Sequence, residues 1–213
     1  MNKNIKRKSK RRKTRKKKHS KKSSSDKINI LFVPGISGIW RKNDIKFPFH
    51  KQLWSTLEKT MDVYTPYNHN IEPIKRQKYI KQAIISKKCQ IALGYSEGAC
   101  RLLKCYEENN FENVKTLILI SPSFSTQDFG IINISKVIKN LSNVCIILID
   151  TDIGYAGSDP QYQWSERIKL KESIKDNMFA KGSEIIFLRD SDHMITNPYI
   201  AKIATQIILS RLL

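Results

Sequence analysis

Apolar residues in this chain form short continuous runs that alternate with segments in which apolar positions recur every three or four residues. Continuous runs predict strands buried on both faces, and the wider spacing predicts amphipathic helices. The predicted strands are 28–35, 62–67, 90–95, 114–121, 144–150 and 184–190. The predicted helices are 49–60, 72–88, 97–108, 133–143, 165–182 and 198–213. This near-strict alternation predicts a three-layer α/β/α fold around a mostly parallel six-stranded sheet.

Residues 94–98 read GYSEG and place Ser96 between two glycines, where a predicted strand meets a predicted helix. A sharp turn at such a junction lifts the serine hydroxyl clear of the sheet edge. The turn leaves no room for side chains at the positions two residues before and two residues after the serine, because strand and helix pack together there. The helix N-terminus that follows directs free N–H groups and partial positive charge at the hydroxyl. We therefore interpret Ser96 as a nucleophile; the alternative is a glycine-rich turn that only connects two elements.

A serine hydroxyl is a weak nucleophile and needs a base within hydrogen-bonding reach. His193 directly follows the last predicted strand, at the carboxyl edge where parallel sheets build their active sites. The remaining histidines, His19, His50 and His69, all precede Ser96. The order serine, acid, histidine favours His193 as the base. A purely structural histidine is the alternative.

Three aspartates follow the predicted strand 144–150 and are candidates for the acid that orients the imidazole. Asp150 and Asp152 lie closest to the strand end, whereas Asp159 begins the sequence SDP ahead of the next helix. A loop can carry Asp159 back over the sheet edge, but the residue could equally serve the first turn of that helix. The spacing alone leaves all three open.

An oxyanion site needs two N–H donors that converge on the developing negative charge. The backbone N–H of Glu97, directly after Ser96, is one candidate. The turn VPGISG after the first strand offers the N–H of Ile36 as the second, with Ser37 as the near alternative. Gly35 and Gly38 would let this backbone approach a substrate. The same turn can also be interpreted as an ordinary strand-to-helix loop.

The segments LFVPGISG, LGYSEG, SDP and DSDHM resemble the α/β-hydrolase superfamily, and the resemblance covers nearly all of residues 28–213. The chain looks most like the small serine hydrolases of the retinoblastoma-binding-protein-9 type. Those have a P-G-x-x-G turn, a G-[HY]-S-x-G turn and a D-P followed shortly by Trp, which Asp159, Pro160 and Trp164 match. The resemblance implies a minimal hydrolase fold with Asp159 as the acid, while closeness to the strand end makes Asp152 the runner-up.

The candidate chemistry predicts a serine hydrolase acting on carboxylic esters or thioesters through an acyl-enzyme on Ser96, with His193 as general base. A serine in place of an aspartate disfavours dehalogenase and epoxide-hydrolase reactions. The segment between Pro122 and Asn143 is short, which predicts no large lid and an open cleft for a small acyl ester or an acylated side chain. The alternative is a catalytically inactive binding protein with the same fold, localised to nucleic acid by a basic N-terminal tail.

Charge is distributed unevenly over the 213 residues, whose net charge is +20. Residues 1–25 hold 14 Lys or Arg and no acidic residue, which leaves 25 basic and 19 acidic residues and about +6 elsewhere. We expect residues 1–26 to form a disordered basic tail and residues 27–213 a single hydrolase domain. Residues 3–22 would contact nucleic acid or another polyanion through phosphates, without sequence preference. The alternatives are an import signal and a solubilising extension.

The cysteines, the histidines and the absence of long apolar segments indicate the redox state, the metal content and the location to expect. The cysteines have no CxxC spacing and lie in apolar runs, which predicts reduced core residues: Cys89, Cys100, Cys105 and Cys145. The histidines form no metal-ligand cluster, so we expect neither a metal nor a cofactor. The sequence contains no apolar signal region or transmembrane span. We expect an intracellular monomer, cytoplasmic or nuclear, that is not secreted.

Overall fold

A six-stranded parallel sheet organises the fold. The computed structural model describes residues 27–35, 48–66, 71–109, 111–122, 125–126, 130–132, 144–149 and 183–212. The strands are β1 (Ile28–Val33), β2 (Met61–Tyr64), β3 (Ile91–Tyr95), β4 (Thr116–Ile120), β5 (Ser125–Thr126), β6 (Gly130–Ile131), β7 (Val144–Ile149) and β8 (Glu184–Leu188). The helices are α1 (Pro48–Thr60), α2 (Pro73–Ser86), α3 (Glu97–Glu108) and α4 (Pro198–Ser210). The sheet order is β2-β1-β3-β4-β7-β8, and every pairing in it is parallel.

Both faces of the sheet are covered, which explains why its central strands are apolar throughout. In β3, Ala92 packs with α2 and α3 on one face, whereas Leu93 and Tyr95 pack with α1 and α4 on the other. Every residue of β3 and β4 is buried. Burial on two faces removes the polar alternation that a half-exposed strand would show.

The strand order reverses between β1 and β3. From β1 the chain moves outward to β2, then returns to β3 on the opposite side of β1. Parallel α/β sheets bind ligands where the strand order reverses in this way. Gly35 and Ser96 follow the carboxyl ends of β1 and β3, so both lie at this reversal of the strand order.

The predicted three-layer architecture is confirmed, with all six predicted strands present in one sheet. The predicted helices 133–143 and 165–182, together with the basic tail 1–26, lie outside the described residues. The structure adds an antiparallel hairpin of β5 and β6, whose strands of two residues are too short to produce a periodic pattern. No helix among the described residues is long and apolar enough to cross a membrane.

Candidate active site

The serine turn, residues 94–98, holds Ser96 in a strained backbone conformation between β3 and α3. The φ angle of Ser96 is 52° and its ψ angle is −124°. Such a conformation costs a non-glycine residue on the order of 1–3 kcal/mol and persists only where the surroundings enforce it. The Ser96 N–H donates to the carbonyl of Ile120 at 2.9 Å, which ties the turn to β4. The hydroxyl is thereby presented at the sheet edge by a rigid frame.

Close backbone packing explains the two glycines of the serine turn. A Cβ atom on Gly94 would lie 2.5 Å from Cα of Ala99, and one on Gly98 would lie 2.2 Å from the carbonyl oxygen of Val33. Real Cβ atoms essentially never approach that closely. The small residues therefore let α3 begin directly against β1 and β3.

His193 lies within hydrogen-bonding distance of Ser96 although 97 residues separate them in sequence. Its Nε2 atom is 2.9 Å from Oγ of Ser96. This is the geometry in which an imidazole accepts the hydroxyl proton. The structure thus brings the predicted nucleophile and the predicted base together at the carboxyl edge of the sheet.

Polar contacts help to hold the histidine loop, residues 189–197. The hydroxyl of Tyr95 donates to the backbone carbonyl of His193, and the two rings are 5.5 Å apart between centroids. The Asp192 carboxylate accepts from the N–H of Thr196 at 2.8 Å and from its hydroxyl at 2.6 Å. Partial burial acts to raise the pKa of Asp192, but these hydrogen bonds outweigh it and leave that pKa below its usual range. Asp192 therefore remains ionised and closes the loop.

Ser121 lies on the other side of the imidazole. Its Oγ atom is 3.4 Å from Nδ1 of His193, and the residue is 2% exposed. Sequence reasoning missed it, although it follows the carboxyl end of β4, the same position relative to its strand that Ser96 has to β3. That shared position is the signal that could have identified it.

A buried aromatic group lies beneath the histidine loop. His50 of α1 is buried, and its ring is 4.6 Å from the ring of Tyr95 in an edge-on arrangement. Burial, and secondarily the charge of His193, lower the pKa of His50 to about 3. His50 is therefore neutral at physiological pH, and the sequence had offered no reason to place it beside the site.

The side chain of Glu97 forms a buried ion-pair group with two arginines. Its carboxylate lies 3.0 Å from Nη1 of Arg76 and 2.7 Å from Nε of Arg101. All three residues are less than a tenth exposed. The pairs link α2 to the first turn of α3, where the Glu97 N–H, the predicted oxyanion donor, begins the helix. The carboxylate next to Ser96 is in this way paired with positive charge.

Gly35 brings the end of β1 close to Ser96. A Cβ atom there would lie 3.2 Å from Cβ and 3.6 Å from Oγ of Ser96. The predicted second oxyanion donor Ile36 and its alternative Ser37 lie outside the described residues. So do the three acid candidates: Asp150, Asp152 and Asp159.

The cysteines do not belong to the site. All four are free and buried. Burial raises the pKa of the Cys89 thiol to about 11 and that of the Cys105 and Cys145 thiols to about 12, and it raises that of Cys100 as well. They are therefore neutral, unreactive core residues. Within the part of the chain that the structure describes, no group of three or more His, Cys, Asp or Glu side chains could hold a metal ion.

Comparison of the sequence with protein-family models and with curated proteins yields no match. Solved structures are nevertheless similar over most of the chain. The esterase domain of a Rhodothermus marinus protein has a TM-score of 0.59 and 9% identity, covering 88% of this chain and 89% of that one. Est1E from Butyrivibrio proteoclasticus has a TM-score of 0.59 and 13% identity, covering 90% and 91%.

A third similar structure is MGS-MChE2, an alpha/beta hydrolase enzyme from the sediment metagenome of the Mar Chica lagoon in Morocco. It has a TM-score of 0.56 and 15% identity, and the match covers 88% of this chain and 93% of that one. At such identities the similarity establishes the fold alone. Together with the parallel sheet and its strand order, it shows that this chain has the α/β-hydrolase fold.

Proposed function

We propose that the protein is a serine hydrolase that cleaves carboxylic esters or thioesters through an acyl-enzyme on Ser96. The observation that carries the proposal is the 2.9 Å contact between Nε2 of His193 and Oγ of Ser96, made within a strained turn at the sheet's carboxyl edge. Backbone strain concentrated at a reactive group is typical of functional sites. The esterases and hydrolases among the similar structures support the same reaction class.

The reaction follows from the positions of these two side chains. Oγ of Ser96 attacks the substrate carbonyl carbon while Nε2 of His193 takes the hydroxyl proton. The tetrahedral intermediate then expels the alcohol or thiol, which leaves with that proton. Water then attacks the acyl-enzyme and gives one proton to His193. The second tetrahedral intermediate breaks down to the carboxylic acid, and Oγ of Ser96 takes the proton back from His193. The Glu97 N–H, at the start of α3, and the N–H of Ile36 would stabilise the oxyanion.

A fluorophosphonate probe tests the proposal directly because it reacts with an activated serine. We expect wild-type protein to be labelled at Ser96, and both labelling and hydrolysis of a short-chain nitrophenyl ester to vanish in Ser96→Ala. Ser55→Ala is the matched control, since Ser55 is an exposed serine whose hydroxyl donates to Gln52 within α1. Labelling that persists in Ser96→Ala would overturn the mechanism, and an unreactive wild type would favour an inactive binding protein.

We further propose Asp159 as the acid, because SDP followed by Trp164 resembles the small hydrolases of the retinoblastoma-binding-protein-9 type. An acid that accepts from Nδ1 of the histidine selects the tautomer able to accept the serine proton. Asp159→Asn should therefore slow turnover far more than Asp152→Asn or Asp150→Asn. If Asp152→Asn loses most of its turnover while Asp159→Asn stays active, Asp152 is the acid and the proposed resemblance does not hold.

The 14 basic residues of segment 1–25 support a second property, sequence-independent binding of nucleic acid or another polyanion. Each phosphate that lysine or arginine neutralises releases a counterion, so affinity should fall steeply with salt. We propose that residues 3–22 supply this binding in an intracellular protein. Full-length protein and a variant lacking residues 1–25 can be titrated with duplex DNA at two salt concentrations, beside ester hydrolysis. Equal affinity would contradict the proposal, whereas lost hydrolysis would show that the tail helps to build the site.

A further inference from the structure

The imidazole of His193 has two nitrogens, and each faces a serine. Nε2 contacts Oγ of Ser96 at 2.9 Å, and Nδ1 contacts Oγ of Ser121 at 3.4 Å. Ser121 is fixed by its own backbone, whose N–H donates to the carbonyl of Ile147 at 2.7 Å. It follows β4, while Ser96 follows the adjacent β3. The ring therefore lies between hydroxyls presented by two neighbouring strands.

The two nitrogens of a neutral imidazole have opposite roles: one carries the proton and the other accepts one. Nε2 can take the proton of Ser96 only when the proton of the ring is on Nδ1. An acceptor beside Nδ1 favours this tautomer, and it also opposes rotation of the ring, which would put a carbon in place of each nitrogen. Oγ of Ser121 lies where such an acceptor would act.

We propose that Ser121 is a positioning residue that accepts a hydrogen bond from Nδ1–H of His193 and so holds Nε2 towards Ser96. Nδ1 carries a single hydrogen, so Ser121 shares it as a second, longer-range acceptor with the acid proposed above and does not replace that acid. The inference rests on the proposed hydrolase function because its benefit is to the proton transfer from Ser96. The backbone supports a specific role, because Ser121 keeps a φ angle of 44°, in the left-handed region that favours glycine.

Three other groups interact with His193 or belong to its loop. Tyr95 of β3 contacts the histidine loop through its hydroxyl, His50 of α1 is electrostatically coupled to His193, and Asp192 belongs to the loop itself. Substitution at Ser121 leaves these groups in place. The left-handed backbone also supplies a useful variant, since Ser121→Gly removes the hydroxyl while relieving strain. Ser121→Ala removes the same hydroxyl and keeps the Cβ atom.

Two measurements separate positioning from a structural role. The first is the rate of fluorophosphonate labelling at Ser96, with kcat and KM for a nitrophenyl ester. We expect both variants to lower the labelling rate and kcat about fivefold, the factor that corresponds to one neutral hydrogen bond, with KM little changed. Ser183→Ala is the control, because that hydroxyl accepts from the Val144 N–H at the amino ends of β7 and β8, away from the site.

The second measurement is nitrogen-15 NMR of the four histidines at alkaline pH, where imidazoles are neutral, with His193→Gln to assign the signals. We expect the ring N–H proton of His193 to lie on Nδ1 in the wild type. The resonance of this Nδ1–H proton should move upfield in both variants. A wild-type proton on Nε2 would overturn the proposal, because Ser121 would then be the donor. Unchanged labelling and an unchanged Nδ1–H resonance in both variants would also overturn it. Neither outcome resembles failure of the hydrolase function, which would leave wild-type Ser96 unlabelled.

Discussion

The serine turn and the histidine loop meet at one hydrogen bond but are held in place by different forces. The serine turn is packed between β1, β3 and α3, and its glycines leave no space for even one added carbon. The histidine loop is partly exposed and depends on hydrogen bonds from Tyr95 and within the Asp192–Thr196 pair. Steric exclusion enforces the position of Ser96, whereas hydrogen bonds together with the buried side chain of Ile195 hold the loop that carries His193.

This contrast indicates where substitutions act. A change in the serine turn meets backbone atoms that cannot move independently, so it should affect folding of the whole sheet. A change in the histidine loop removes one bond of modest net free energy and should affect the alignment of the imidazole more than the fold. Stability and reactivity should therefore separate between the two regions.

The largest expected effect is that of Gly98→Ala. The new Cβ would lie 2.2 Å from the Val33 carbonyl oxygen, so strand β1 or helix α3 must move. We expect the free energy of unfolding to fall by about 4 kcal/mol or more, measured by chemical denaturation. Gly35→Ala is the control, because its Cβ would meet Ser96 at 3.2 Å and should reduce labelling more than stability. A Gly98→Ala protein as stable as the wild type would refute steric control of the serine turn.

Glu97→Gln should have the next largest effect, because it leaves Arg76 and Arg101 with a neutral partner in a buried site. Loss of one member of a buried ion-pair group costs about 3 kcal/mol or more. Glu108→Gln, on the same helix, removes a carboxylate that is 48% exposed and 3.5 Å from Lys104, and should cost less than about 1 kcal/mol. Equal losses of unfolding free energy in the two variants would show that burial does not determine how much these ion pairs contribute to stability.

The pH dependence of stability tests the neutral histidine beneath the loop. The folded pKa of His50 is lowered from 6.5 to about 3, so between these values the unfolded chain binds a proton that the folded chain does not. Stability should therefore fall as pH decreases below about 6.5. His50→Gln should reduce that slope by about 1.4 kcal/mol per pH unit, measured by urea denaturation across this range. If the unfolding free energies of the variant and the wild type change with pH in parallel, His50 does not have a lowered pKa in the folded protein.

Tyr95→Phe is the smallest of these changes and addresses the histidine loop itself. It removes the hydroxyl that donates to the His193 carbonyl while it keeps the buried ring. We expect a loss of about 1 kcal/mol in unfolding free energy and slower labelling at Ser96. Tyr79→Phe is the control, since Tyr79 is 38% exposed on α2. A Tyr95→Phe protein that is labelled at the wild-type rate would show that the loop is positioned without this bond.

The amino-acid sequence by itself predicted the six strands of the sheet, the four described helices and the place of Ser96 between a strand and a helix. These depend on local information: the continuous apolar runs record burial on two faces, and Gly94 and Gly98 record the close approach of backbones. The order of residues also selected His193, which the structure places 2.9 Å from Ser96, while its role as the base remains a prediction. The role of Asp159 and the donor at Ile36 remain predictions, because those positions lie outside the described residues.

Only the tertiary structure decided which side chains surround the imidazole. Ser121 lies 72 residues from His193 in sequence, and Tyr95 lies 98 residues away. Neither contact leaves a periodic or compositional mark, because each depends on which strands become neighbours and how far their ends extend. The same holds for His50, which a pattern of apolar positions treats as one polar residue on α1 but which packing places against Tyr95. Periodicity records whether a residue is buried, whereas the partner it meets there is determined by the packing of distant elements.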